Sequence, residues 1–122
     1  MHDADLVLCS ELSHVASIVD TDRDAFRKTF LLLELADMCT ARLATESFDD
    51  WLTRLNRHRS PSELLSRANA FNLGDPYGCG RKTIARTVDH VLAAAGRIIE
   101  TAAGRHPSTP RASYTSRYAA YA

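Results

Sequence analysis

Asp75 is the residue whose neighbours best prepare it for chemistry. It stands in the run Asn72-Leu73-Gly74-Asp75-Pro76-Tyr77-Gly78-Cys79-Gly80, where three glycines and a proline fall within seven residues and predict a structured loop. Pro76 drives Asp75 toward extended backbone and stiffens the loop. A carboxyl group held there, ahead of a helix, has two uses. It can donate a proton to a leaving group, or it can cap the helix that opens through 78–81. Cys79 lies between two glycines, with Arg81 and Lys82 beside it at a helix start. That setting lowers a thiol's pKa and attracts anions. A thiolate that attacks phosphorus also needs a cradle of amides and a bidentate arginine. Cys79 has neither in its local sequence, so an incidental anion is the better expectation for that helix start.

The other reactive types are scattered. Cys9 and Cys39 have no partner at C-x-x-C spacing, and the five histidines are dispersed. No pair has zinc-ligand spacing, so neither a metal nor another cofactor is expected. Three cysteines without paired spacing predict reduced thiols in a cytoplasm. Cys9 and Cys39 are expected as small buried apolar side chains.

The elements that must position this loop follow from the apolar pattern. Leu6-Val7-Leu8 is a short run without alternation, which predicts a strand buried on both faces, as in a parallel sheet. Leu12, Val15, Ala16 and Val19 then follow helical spacing from a cap at Ser10. A second strand is expected within 26–30, centred on Lys28-Thr29-Phe30, and a helix after it with Leu32, Leu35, Ala36, Cys39 and Leu43 on one face. Phe48, Trp51, Leu52 and Leu55 predict a helix capped by Ser47. Ser60-Pro61-Ser62-Glu63 has the form of a capping box with proline in the first turn, and Leu64, Leu65 and Ala68 would face inward behind it. The last helix is the clearest. Ile84, Val88, Val91, Leu92, Ala95, Ile98, Ile99 and Ala102 form a long stripe, which predicts a helix from about Lys82 to Ala103. Gly104 and Pro107 end it.

Composition sets the outer limits. The chain has 122 residues, one domain's worth, and its 15 basic residues balance 15 acidic ones. No global field attracts nucleic acid or an anionic membrane, so neither is an expected partner. The apolar runs, such as Phe30 to Leu33, are far too short to span a bilayer. His2, Asp3 and Asp5 interrupt the place where the apolar core of a signal peptide would sit. A domain over 1–103 and a disordered tail over 104–122 are expected. Tyr114, Tyr118 and Tyr121 in that tail carry no pattern that assigns them a use.

Three blocks resemble the low molecular weight protein-tyrosine phosphatase family, in the right order and over roughly residues 3 to 103. They are Ala4-Asp5-Leu6-Val7-Leu8 with His14 in the helix behind it, Arg27-Lys28-Thr29-Phe30-Leu31-Leu32-Leu33-Glu34, and Asp75-Pro76-Tyr77-Gly78 followed by a long amphipathic helix. The resemblance implies an α/β fold with a parallel sheet flanked by helices. It also implies hydrolysis of phosphate monoesters on a phosphotyrosine-containing protein. In the family a thiolate in a C-x5-R loop attacks phosphorus, amides and the arginine hold the phosphoryl group, and a late aspartate protonates the leaving phenol. Asp75 matches that general acid, and Tyr77 matches the aromatic residue beside the substrate cleft.

The departure from the family is as specific as the likeness. Six positions after Cys9, Cys39 and Cys79 stand Val15, Thr45 and Ala85, so the chain contains no C-x5-R. The family's first strand, phosphate loop and second strand would precede Met1. The expectation is a truncated phosphatase-like domain, helix-rich and missing its N-terminal strands, inactive as this polypeptide. A truncated paralogue, a gene fragment and a misplaced start all fit that expectation. The alternative is a non-catalytic interaction protein that pairs with a partner, or with a second copy of itself, through an exposed sheet edge. An arsenate reductase of related fold fits less well, because it needs the same loop and further redox cysteines.

Overall fold

The two apolar runs near the start form the only sheet among the described residues. A computed structural model of the chain describes residues 4–71 and 80–107. Strand β1 (Val7–Cys9) pairs in parallel with β2 (Thr29–Leu31), with Val7 opposite Thr29 and Cys9 opposite Leu31. Each strand lies one residue later than the sequence predicts. Parallel strands need a long crossover. Helix α1 (Leu12–Thr21) and a 3₁₀ turn over Arg23–Lys28 supply it. β2 is fully buried, whereas Leu8 in the centre of β1 is 42% exposed. The expectation that β1 is covered on both faces therefore fails. Alternate side chains leave opposite faces of a strand, and among the described residues only the Cys9 side of β1 meets the core.

The α1 cap also differs from expectation. Glu11 rather than Ser10 is the capping position, and it makes no side-chain cap bond. Only Val15 of this helix is buried, with Leu12, Ile18 and Val19 packed at the margin of the core. His14 points to solvent.

Helix α2 (Leu32–Met38) starts directly after β2, and Glu34 turns back to accept from the Leu31 amide at 3.2 Å. It stops well short of Leu43, which is 59% exposed. Competing bonds explain the early end. Trp51 donates its indole N–H to the Thr40 carbonyl, and Arg54 donates to Thr40 Oγ1, the Ala41 carbonyl and the Glu46 carboxylate. These bonds take the backbone carbonyls after Cys39 that a longer helix would need.

Helices α3 (Phe48–Leu55) and α4 (Pro61–Phe71) begin where their caps predict. Ser47 Oγ accepts from the Asp50 amide, and Ser60 Oγ accepts from the Glu63 amide. Trp51, Leu52 and Leu55 are buried as the spacing requires. On α4, Leu64 is buried but Leu65 is 65% exposed. Neighbouring helical positions diverge by about 100°, so a helix covered on one side buries only one of the two.

Helix α5 (Arg81–Ala102) packs mainly on α2, and its buried face overlaps the expected apolar stripe only in part, at Ile98 with Val91 and Ala102 at the margin. The buried residues are His90, Ala94, Arg97, Ile98 and Thr101, while Ile84, Val88, Leu92 and Ile99 are exposed. Small and hydrogen-bonding side chains bring the two helices together: Arg97 Nε donates to the Ala36 carbonyl at 2.5 Å. The helix ends at Gly104, whose φ of 84° favours glycine, and a Cβ there would meet the Arg42 carbonyl at 3.0 Å. Most of the expected tail, 108–122, lies outside the described residues. No helix among those described is long and apolar enough to cross a membrane.

Candidate functional site

Asp75, Tyr77 and Cys79 lie outside the described residues. What is described is the frame on either side of them. The described part of α4 reaches the buried Phe71, and the described residues resume at Gly80, the capping position of α5. Two contacts give the sense of α5. Its Arg97 bonds Ala36, and its Thr101 and Ala102 carbonyls accept from the Arg42 amide and Arg42 Nε. Helix α5 thus runs alongside α2 in the same direction, with its start on the side of α2's start. That side follows directly on the C-terminal end of β2, the end at which open parallel sheets place ligands.

The described thiols are not activated. Cys9, at the C-terminal end of β1, is buried, and burial pushes its thiol pKa up. Burial also pushes Cys39 up, although hydrogen bonding from Thr101 and the nearby Arg97 pull the other way. Desolvation disfavours the thiolate in both, so neither is a nucleophile at neutral pH.

The densest polar cluster was not visible in the sequence. It centres on Arg59, whose guanidinium lies 4.0 Å from the ring centroids of both Phe26 and Phe30. Its Nε and Nη2 grip the Glu34 carboxylate at 2.8 and 3.1 Å. The remaining N–H groups go to the Phe26 carbonyl, the Thr29 carbonyl and Asn56 Oδ1. A guanidinium has five N–H donors, and all five are engaged with protein, so Arg59 has none for a phosphate. The pair is buried, with side-chain exposures of 3% for Arg59 and 8% for Glu34. Beside it, Thr29 Oγ1 is buried with no partner among the described residues. Only the position of Arg59 just ahead of the Ser60-Pro61 helix start hinted at it, since an arginine before a cap is well placed to reach back into the preceding layer.

A cleft of about 60 Å³ opens next to this cluster, between α2 and α4. Glu34, Asp37, Glu63, Arg59, Arg67 and Phe71 are among its walls. Arg67 sits over the Phe71 ring at 4.7 Å and reaches Asp37 at 3.4 Å. A water occupies roughly 30 Å³ of liquid and small-molecule pockets run to roughly 300 Å³ and more. The cleft has room for a water and is too small for a phosphotyrosyl ring. No group of three His, Cys, Asp or Glu among the described residues is gathered to hold a metal.

Comparison of the chain with protein-family models, with curated proteins and with solved structures finds no match to any of them. The class that the described residues themselves define is coarse: a helix-rich α/β arrangement around a two-stranded parallel sheet.

Proposed function

We propose that this chain is a low molecular weight protein-tyrosine-phosphatase-like domain that does not hydrolyse phosphate monoesters as a 122-residue polypeptide. The observation that carries the reading is Asp75-Pro76-Tyr77-Gly78 set immediately before the 22-residue helix α5. The parallel pairing of β1 and β2 across α1, in the order the resemblance requires, supports it. In this reading Asp75 is the proton donor, Tyr77 borders the cleft for a phosphotyrosine-containing protein, and the chain works in the cytoplasm. Inactivity rests on the lack of a C-x5-R anywhere in the sequence and on the protonated state of both described thiols. A general acid contributes only to a substrate already held and under attack.

A second reading, a non-catalytic interaction protein, is favoured by one observation. β1 has a strand on one side only among the described residues, and its Leu8 is 42% exposed. Such an edge is a template for pairing with another chain, including a second copy.

One experiment separates the two. The purified chain is assayed with p-nitrophenyl phosphate, alone and extended at its start by a phosphatase segment carrying C-x5-R. The chain alone should show no turnover above background, and the extended chain should gain it. In the extended chain Asp75→Asn should lower kcat by about 10²–10⁴-fold, most for poor leaving groups. Turnover by the chain alone overturns the inactivity. An extended chain that folds but stays inert, or full activity of Asp75→Asn, overturns the phosphatase reading.

A further inference from the structure

We propose that two copies of this chain associate through the outer face of α5, packed antiparallel about a two-fold axis. This surface is distinct from the open edge of β1. Ile84, Val88, Leu92 and Ile99 are exposed by 42, 50, 64 and 65%. Val91 and Ala95 lie half-buried beside them. The opposite side of the helix carries the buried His90, Ala94, Arg97, Ile98 and Thr101. The first nine residues of α5, Arg81 to Asp89, include none that is buried, so the described body leaves the row open along most of its length. A continuous apolar strip of this kind on a helix marks a docking surface.

The symmetry of the strip selects a second copy as its occupant. Positions 84, 88, 91, 92, 95 and 99 read the same from either end of the helix. An antiparallel pair sets Ile84 against the partner's Ile99, Val88 against the partner's Ala95 and Leu92 against the partner's Val91. That is the self-complementarity an isologous interface requires, and each contact sets a large side chain against an apolar one. Charge gives the same orientation. The first turn of α5 has no acidic residue and the last turn no basic one, with Arg81 and Lys82 at the positive end of the helix dipole. In the antiparallel pair those cations face the negative C-terminal end of the partner's helix.

Sedimentation of the full 122-residue chain over a concentration series tests this, with circular dichroism to confirm folding. The expected result is a monomer–dimer equilibrium. Leu92→Glu should raise the dissociation constant by about 100-fold or more, as loss of a central interface anchor does. For register, Ile84→Cys with Ile99→Cys in a Cys79→Ser background should form a covalent dimer on oxidation, and Val88→Cys alone should not. A dimer that ignores Leu92→Glu, or that cross-links through Val88→Cys but not through the 84–99 pair, overturns the proposal. A monomer at every concentration also overturns it. If Leu92→Glu then lowers the melting temperature, another segment of the chain covers the face. If melting is unchanged, the face belongs to a different protein.

Discussion

Arg59 and Glu34 show how much of this fold hangs on one ion pair. The guanidinium joins the 3₁₀ turn, β2, α2 and the corner before α4, and it does so between two aromatic rings. Removing one partner of a buried pair leaves the other charged and unsolvated, at a cost of about 3–5 kcal/mol. Arg59→Met should therefore lower the urea midpoint by far more than Arg59→Met with Glu34→Gln, in which no charge is left behind. Equal losses in the two variants would mean the rings, not the charges, hold the corner. The part-buried cluster at Glu46 behaves differently with pH. Hydrogen bonds from Arg54 hold its carboxyl down from 4.5 to about 2. A depressed folded-state value means the stabilisation is present above the ordinary pKa and fades as pH falls from about 4.5 through about 2. The melting temperatures of the wild type and Arg54→Met should differ at pH 6 and converge near pH 2. A gap that persists at pH 2 would assign the effect of Arg54 to its neutral bonds at Thr40 and Ala41.

At the scale of elements, the caps were legible because their signals are local. Ser47 and Ser60 each bond an amide three residues on, and either serine replaced by alanine should cost about 1 kcal/mol in denaturant titration. What the pattern could not give was which side of each helix meets the core. Leu64 and Leu65 are equal in hydrophobicity, yet only Leu64 is buried. Leu64→Ala should cost about 2–5 kcal/mol, and Leu65→Ala should stay within about 0.5 kcal/mol. The reverse order would mean α4 is rotated on its axis. Helix α5 misleads in the same way, since its buried face uses Arg97, His90 and Thr101, residues that periodicity counts as polar. Helix α2 ends early because Trp51 and Arg54, distant in sequence, capture its would-be carbonyls. Long-range competition of this kind leaves no trace in a local window.

At the scale of the whole molecule, the parallel α/β order was legible from two short strands and the helix between them. The candidate loop, read from its glycines and Pro76, lies outside the described residues and stays an expectation from composition. Among the described residues, two open apolar surfaces are the outer face of β1 around Leu8 and the strip along α5. Both place large apolar side chains in water, where a core of this size has little stability in reserve. Wild-type melting temperature should rise with protein concentration if folding and association are linked. Leu92→Glu should remove that dependence, and scanning calorimetry at several concentrations reads it directly.

Trp51 makes that linkage measurable by light. It is the only tryptophan in the sequence, is 0% exposed, donates its indole N–H to Thr40 at 2.7 Å and lies 5.5 Å from the Phe48 ring. An indole so enclosed emits toward the blue, is shielded from dissolved quenchers, and shifts red only when α3 leaves the core. It stands on a helix other than α5, so its emission follows unfolding and should not respond directly to encounter between copies. One chromophore, native to the chain, thus reads folding at concentrations low enough for the dimer to have come apart.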